Sequence, residues 1–523
     1  MSEQAVRSWL LGIIVLGLVV RLFEVGEPLI DKQAWRQADT AAIARNYFEE
    51  GYELLWPRVD WRGATSGYVE MNFPLYPFLV SVLYGLWGEA NDSLGRLLSS
   101  LFSVATSFVL FLFARRLFDD EFTALCAAFF FLFFPLNIYF GRVFMPEPLM
   151  LLLSVTALWL FHCWAAGGRL VHAFGAALSA ALCFLIKVPT LYLGFPLLAM
   201  ALQRWGWRFI LRPSLWFYAI AILVPAVLWY THAADLFTET GLTFGIWNRY
   251  GYDKWDRDVL FTVDFYRQVG WRFFDSIYTP IGSIAVLLGL YACAKERRDW
   301  VLWGWLCGLV LYVLIVPEGN RKLHYYQLPF VPIGALFAAQ GVAWINGKWS
   351  VSSGNKFSLQ RVLPISFCTF GLFAYSAGAL APYYDQPNNI HAYYESCHRA
   401  GQLIDSKLPS DALLVVGDLD ENSGAPFRAQ SPTLLYYSHR KGWQITPEEF
   451  TSVHLDRLAA QGADFFLVAV AFAMQNSSFW QDLLKRGVST PISYPEQWTD
   501  EALFRAYVKK ESDMSRHFVL VRI

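Results

Sequence analysis

Between Trp9 and Ala381 the apolar residues fall in runs of helical length, separated by connections rich in Arg, Lys, Pro and Gly. A bilayer core of about 30 Å takes roughly 20 residues of helix, whose backbone groups satisfy one another. About eleven segments approach that length: 9–23, 97–113, 122–140, 147–166, 171–186, 190–202, 215–230, 281–294, 300–316, 327–345 and 362–381. The first follows Arg7 and runs on into Val25, Gly26, Glu27 and Pro28 rather than a small-residue cleavage site, so an uncleaved signal-anchor is expected. Two longer connections interrupt the series, one of about 70 residues at 25–93 and one of about 50 at 231–279. Inside the first, the pattern predicts helices at 40–50 and 74–87, the latter amphipathic enough to lie in the membrane interface.

Past about Pro382 the pattern changes. Apolar runs shrink to strand length at 413–419, 465–471 and 517–523, and alternate with helical stretches at 400–407 and 446–461. The predicted fold is therefore mainly α: a polytopic membrane helix bundle of about 11 transmembrane helices over residues 1–384, followed by a soluble α/β domain over 385–523. Composition agrees, with 55% hydrophobic, 17% aromatic and 16% charged residues. The 42 Lys and Arg nearly balance the 43 Asp and Glu, for a net charge of -1, so no basic field exists for nucleic acid. Of the 7 cysteines, Cys397 alone lies outside the apolar stretches, and no CxxC or Cys/His spacing suggests a disulfide framework or a zinc site.

Basic residues resist translocation and so orient the chain. One set of alternate connections holds Arg115, Arg116, Arg169, Arg204, Arg208, Arg212, Lys295, Arg297, Arg298, Lys348, Lys356 and Arg361, with Arg7 beside them. The opposite short set holds only Arg142, Lys187, Arg321 and Lys322. A cytoplasmic N-terminus follows, with both long loops and the C-terminal domain on the extracytoplasmic side.

Charged residues beside lipid are costly and invite a functional reading. Four clusters on the far face qualify. The first spans LIDKQAWRQADTAAIARNYFEEGYELLWPRVDW, with Asp31, Arg36, Asp39, Arg45 and Arg58; the second is Glu147 between Pro146 and Pro148. Lys187 in LIKVPTLYL is the third, and PEGNRKLHYYQLPF, with Arg321, Lys322, His324, Tyr325 and Tyr326, is the fourth. Each has a plainer reading. Asp31 or Asp39 could cap a helix, Asp39 standing before Thr40 and an Ala-rich run; Glu147 could be a first-turn acid; Lys187, Arg321 and Lys322 could be interfacial anchors; and His324 could be a satisfied interfacial histidine. Taken together, two acids and several cations on one face beside lipid suit a phosphate-bearing lipid. The cations would hold the departing phosphate while a carboxylate takes a proton from an attacking hydroxyl. No metal is demanded by this arithmetic, although Asp31 and Glu147 together could hold a divalent cation.

These clusters, in this order, resemble the GT-C integral-membrane glycosyltransferases over roughly residues 5–385. Within them the resemblance is to the branch of protein O-mannosyltransferases and lipid A aminoarabinose transferases. Arg21 and Leu22 stand at the end of the first span, AAIARNYFEEGYELLWPR matches an AxIAR helix with a WPR-like segment, and Glu147, Pro148 and Leu149 match the acid at a span mouth. The FEKPPLYYW block resembles VEMNFPLYPFL, with Glu70 kept but Met71 and Asn72 where a lysine would stand. RKLHYYQLPFVP resembles the basic segment before an LPxxP span, and carries donor-phosphate contacts to Arg321, Lys322 and His324. Relatives often place a second acid after the catalytic one, whereas Asp31 is followed by Lys32.

The resemblance implies a polyprenyl-phosphate sugar donor, inversion at the anomeric carbon, a hydroxyl acceptor on a lipid, glycan or protein, and a bacterial inner membrane. Asp31 is the expected base with Asp39 second, Glu147 orients the acceptor or assists, Lys187 is a further donor contact, and Arg36, Glu70 and Tyr326 complete the substrate-binding set. Two rival classes use the same residues: a transporter or flippase of a lipid-linked or anionic solute, and a non-catalytic scaffold. The missing inverted repeat and the one-sided charges weigh against the transporter.

Overall fold

The computed structural model describes residues 2–246, 254–296, 300–353, 359–385, 390–417, 431–492 and 517–523, so the connection residues Arg297, Arg298 and Lys356 lie outside the described set. The chain divides into two compact units. One gathers Met1–Val25, Arg96–Tyr230 and Asp253–Ala381; the other gathers Gly26–Gly95, Thr231–Tyr252 and Pro382–Ile523.

The first unit holds most of the apolar helical residues. Among the described residues five helices are long and apolar enough to cross a membrane: Glu3–Arg21, Asp92–Phe118, Glu147–Gly167, Pro213–Thr240 and Phe330–Gly347. A sixth arises if Val263–Ile277 and Thr279–Lys295, bent by 102° about a break, form one span. Every expected apolar segment coincides with helix over most of its length, but several are short or broken. The run at 122–140 is one such: Glu121–Phe133 ends at Phe134 in extended backbone, and Pro135 starts a new helix, Pro135–Phe140. Proline forces this because the residue before it avoids helical angles and its own missing N–H costs nothing at a first turn.

Small residues let these helices close on one another. A Cβ on Gly289 would lie 1.8 Å from the Phe337 carbonyl oxygen, and one on Gly341 would lie 2.2 Å from that of Ala285, so the helices Thr279–Glu296 and Phe330–Ser353 touch backbone to backbone. Arg21, fully buried at the end of the first span, donates to Ser103 Oγ at 3.0 Å and to the carbonyls of Gly17, Leu132 and Asn137 at 2.9 to 3.0 Å. A buried guanidinium survives by such bonds, which here tie three segments of the unit together.

The second unit is built on a five-stranded sheet of β1 (Leu413–Gly417), β2 (Lys441–Ile445), β3 (Phe465–Ala469), β4 (Val488–Ile492) and β5 (Phe518–Arg522), in the order β2-β1-β3-β5-β4. β1 pairs parallel with β2 and β3, whereas β5 runs antiparallel to β3 and β4. The three apolar strands expected from the sequence are β1, β3 and β5, which occupy the middle of the sheet. The core is shared with the first long loop: Ile43, Tyr47, Val59, Trp61 and Val69 pack in the same buried cluster as Leu414, Val415, Val416 and Phe466. Burial of apolar surface at about 25 cal/mol per Å² thus joins the loop to the C-terminal domain as one body.

Candidate active site

In the first unit the second, third and fourth sequence clusters meet. Glu147 is the first residue of the helix Glu147–Gly167, set there by Pro146 and Pro148, so the first-turn reading holds for its backbone. Its side chain has a further role. Lys187, which closes the helix Leu170–Ile186, donates to Glu147 Oε1, and its Nζ sits 4.6 Å and 5.1 Å from the ring centroids of Tyr325 and Tyr326. Glu147 is 1% exposed, and its Oε2 has no hydrogen-bond partner among the described residues.

Arg321 and Lys322 end the short helix Pro317–Lys322, and His324 and Tyr326 lie in the turn His324–Gln327 that follows. Arg321 reaches Glu318 by two bonds of 2.6 and 2.7 Å, and Lys322 pairs with the same carboxylate at 3.1 Å. Asp264 stands 3.9 Å from Arg321. Arg272 fixes the turn by donating to the carbonyls of Asn320 and Arg321. In the sequence the cations dominate PEGNRKLHYYQLPF, and Glu318 is signalled only by its position three and four residues before Arg321 and Lys322.

The second unit carries the first cluster and Glu70. The helix Ala34–Glu50 begins after Gln33 in a left-handed conformation, φ 67°. Neither acid is therefore the cap: Asp31 precedes the helix and Asp39 lies within it, which corrects the capping reading. Asp31 Oδ1 accepts from Gln37 Nε2 at 2.5 Å, while Lys32 packs over the Tyr383 ring at 4.3 Å. Glu70 accepts from Thr243 Oγ1 at 2.5 Å and exchanges backbone bonds with Leu242 and Phe244, pinning the two loop segments together. Arg36 lies over Phe244, 5.0 Å to the centroid.

Asp39 is the most distinctive group. It is 1% exposed, its Oδ1 accepts from Trp61 Nε1 at 2.9 Å, and its Oδ2 has no partner among the described residues. Burial pushes the carboxyl up to about 7, with Trp61 and Arg36 pulling the other way and Asp60 adding to the rise. Sequence alone offered no means of pairing Trp61 with Asp39 across the intervening loop. Among the described residues no group of three or more His, Cys, Asp and Glu side chains converges in metal-binding geometry.

Residues 72–230 match the family described as dolichyl-phosphate-mannose-protein mannosyltransferase. No curated protein matches the sequence. Among solved structures, ArnT from Cupriavidus metallidurans, bound to undecaprenyl phosphate, aligns at TM-score 0.63 with 13% identity, over 98% of this chain and 98% of that one. The archaeal oligosaccharyltransferase AglB from Archaeoglobus fulgidus, in complex with an inhibitory peptide and a dolichol-phosphate, aligns at 0.55 with 13% identity, over 91% and 70%. A second structure of an Archaeoglobus fulgidus oligosaccharyltransferase, with Zn and sulfate, aligns at 0.52 with 12% identity, over 93% and 72%. Apolar spans, the small mixed sheet and these likenesses lead to one conclusion: the chain is an integral membrane protein with the GT-C glycosyltransferase fold.

Proposed function

We propose that the protein transfers a sugar from a polyprenyl-phosphate donor to a hydroxyl on a lipid, glycan or protein acceptor, with inversion, on the extracytoplasmic side of a bacterial inner membrane. The acceptor oxygen bonds to the anomeric carbon as the bond from that carbon to the phosphate oxygen breaks. The hydroxyl proton passes to a carboxylate, and polyprenyl phosphate leaves. The observation that carries this reading is the Asp39 carboxyl, with one oxygen held by Trp61, the other unpartnered, and a proton affinity near neutrality. A general base works best when its pKa lies near the operating pH. We therefore give the base to Asp39 and leave Asp31, which accepts from Gln37, to shape the turn before the helix. Since Asp39 is 1% exposed, the acceptor must displace a covering side chain to reach Oδ2.

Arg321, Lys322 and His324 receive the donor phosphate, which takes over from Glu318 as the partner of the two cations. Glu147, with its unpartnered Oε2, orients the acceptor, and Lys187 pairs with that carboxylate beside Tyr325 and Tyr326. Arg36 and Glu70 hold the loop around Asp39. The ArnT and AglB structures carry undecaprenyl phosphate and dolichol-phosphate, which supports a lipid-phosphate leaving group here. A divalent cation has no three-residue donor set among the described residues, so no step is assigned to one.

Purified protein given polyprenyl-phosphate sugars and an envelope extract as acceptor tests the reading. Release of free polyprenyl phosphate, abolished by Asp39→Asn and kept by Asp31→Asn, is the expected result. Movement of intact donor across a vesicle membrane without release would make the protein a transporter instead.

A further inference from the structure

The C-terminal domain grips the segment that carries Asp39 at several points, and one of them leads straight to the carboxyl. Lys441, the first residue of β2, places Nζ 2.5 Å from Asp60 Oδ1 and against Asn46 Oδ1. Arg45 donates to the other Asp60 oxygen at 2.5 Å and to the Tyr436 carbonyl at 2.7 Å, with its guanidinium 4.8 Å from the Tyr436 ring centroid. The backbone continues the seam: Gly63 N–H donates to the Gly442 carbonyl at 2.6 Å, and Gly442 N–H donates to that of Asp60 at 3.0 Å. A Cβ on Gly63 would lie 2.5 Å from Trp443 Nε1, and its φ of +57° also calls for glycine. Nearby, the Tyr437 hydroxyl accepts from Leu29 N–H at 2.6 Å and donates to Asp92 Oδ2 at 3.0 Å.

Asp60 is 2% exposed and held from two sides, by Arg45 of the loop helix and by Lys441 of the sheet. Burial alone would push its carboxyl up, yet Arg45 first and Lys441 next hold it well below the usual range. The next residue along the chain is Trp61, whose indole N–H holds Asp39. A buried carboxylate fixed by two cations and by its own backbone carbonyl gives the following side chain little freedom.

We infer that Lys441 is a positioning residue for the transfer proposed above: the C-terminal domain clamps Asp60, and Asp60 sets Trp61 against Asp39. The inference rests on Asp39 as the base. It gives the C-terminal domain a part in the reaction, through a residue that touches neither donor nor acceptor.

The charged groups facing Asp39 are Arg36 on its own helix and Asp60 on the loop, with Arg45 and Lys441 behind Asp60. Lys441→Gln keeps hydrogen-bonding capacity but removes the cation, so the grip on Asp60 loosens and the Trp61 N–H holds the ionised Asp39 less well. Sugar transfer should fall about tenfold near pH 6 and largely recover near pH 8, because the acid limb of the profile moves up. Lys441→Arg should restore the wild-type profile, and the Lys441→Gln, Trp61→Phe double variant should show the acid limb of Trp61→Phe alone. Loss by the same factor at every pH in Lys441→Gln, a wild-type profile in it, or a limb in the double variant displaced well beyond that of Trp61→Phe, overturns the positioning role. Should Lys441→Gln fail to fold, Lys441→Met takes its place in the same comparison. An active Asp39→Asn enzyme would refute the base assignment instead, so the two failures are distinct.

Discussion

Two buried acids, Glu147 in the first unit and Asp39 in the second, solve the same problem in opposite ways. Both are 1% exposed and both keep one oxygen without a partner among the described residues. Glu147 faces the ammonium of Lys187, so its charge is neutralised where it stands. Asp39 faces a neutral indole N–H, with Arg36 as a weaker help and Asp60 as a hindrance. The difference teaches what each can do: a carboxylate held by an ammonium suits orientation, whereas an uncompensated one is poised to accept a proton near neutral pH.

The sharpest way to break this contrast is to remove each charge at constant shape. Asp39→Asn should cost about 10³-fold in turnover, within the range for loss of a general base, while Glu147→Gln should cost nearer tenfold. Turnover measured at saturating donor checks this, and the reverse ranking would exchange the two roles. Next in size is a stability effect confined to the first unit. Lys187→Met leaves Glu147 buried and unpaired, which should destabilise the fold by about 3 to 5 kcal/mol. Thermal unfolding in detergent should show Lys187→Met well below wild type and the Lys187→Met, Glu147→Gln double variant recovering most of the loss.

Smaller effects fall on the phosphate-binding turn. Arg321→Ala removes charge-assisted bonds worth about 1.5 to 3 kcal/mol, so the KM for donor should rise at least about tenfold with turnover less affected. Glu318→Gln works the other way. Because Glu318 pairs with both Arg321 and Lys322, its neutral analogue should lower the KM for donor a few-fold, which donor titration would detect. A raised KM would mean that Glu318 aligns the cations rather than competing with the phosphate.

Much of the fold was legible because apolar periodicity is a local signal. The spans, and the strands β1, β3 and β5, bury nearly continuous apolar runs and stand out in the sequence. β2 is the polar string KGWQI and β4 contains a proline, so neither carries a strand signature, although both are edge strands where such residues are tolerated. The site divided along the same line. Its clusters were legible as charges beside apolar runs, but their partners were not. Lys187 and Glu147 lie 40 residues apart, and Lys441 and Asp60 lie 381 apart, beyond any local pattern. Asp39 resembled a cap because Thr40 and an alanine run follow it; the helix in fact starts at Ala34, where the left-handed Gln33 breaks the chain.

The pH profile of kcat/KM for sugar transfer tests the central claim most directly, measured on the wild type and on Trp61→Phe. A base that must be ionised loses activity as the pH falls through its pKa, so the wild-type acid limb should lie at about 7. Trp61→Phe deletes the donor that favours the ionised form, which should carry the limb to higher pH. An acid limb near 4 in the wild type, or one that Trp61→Phe leaves in place, would contradict Asp39 as the group that takes the proton.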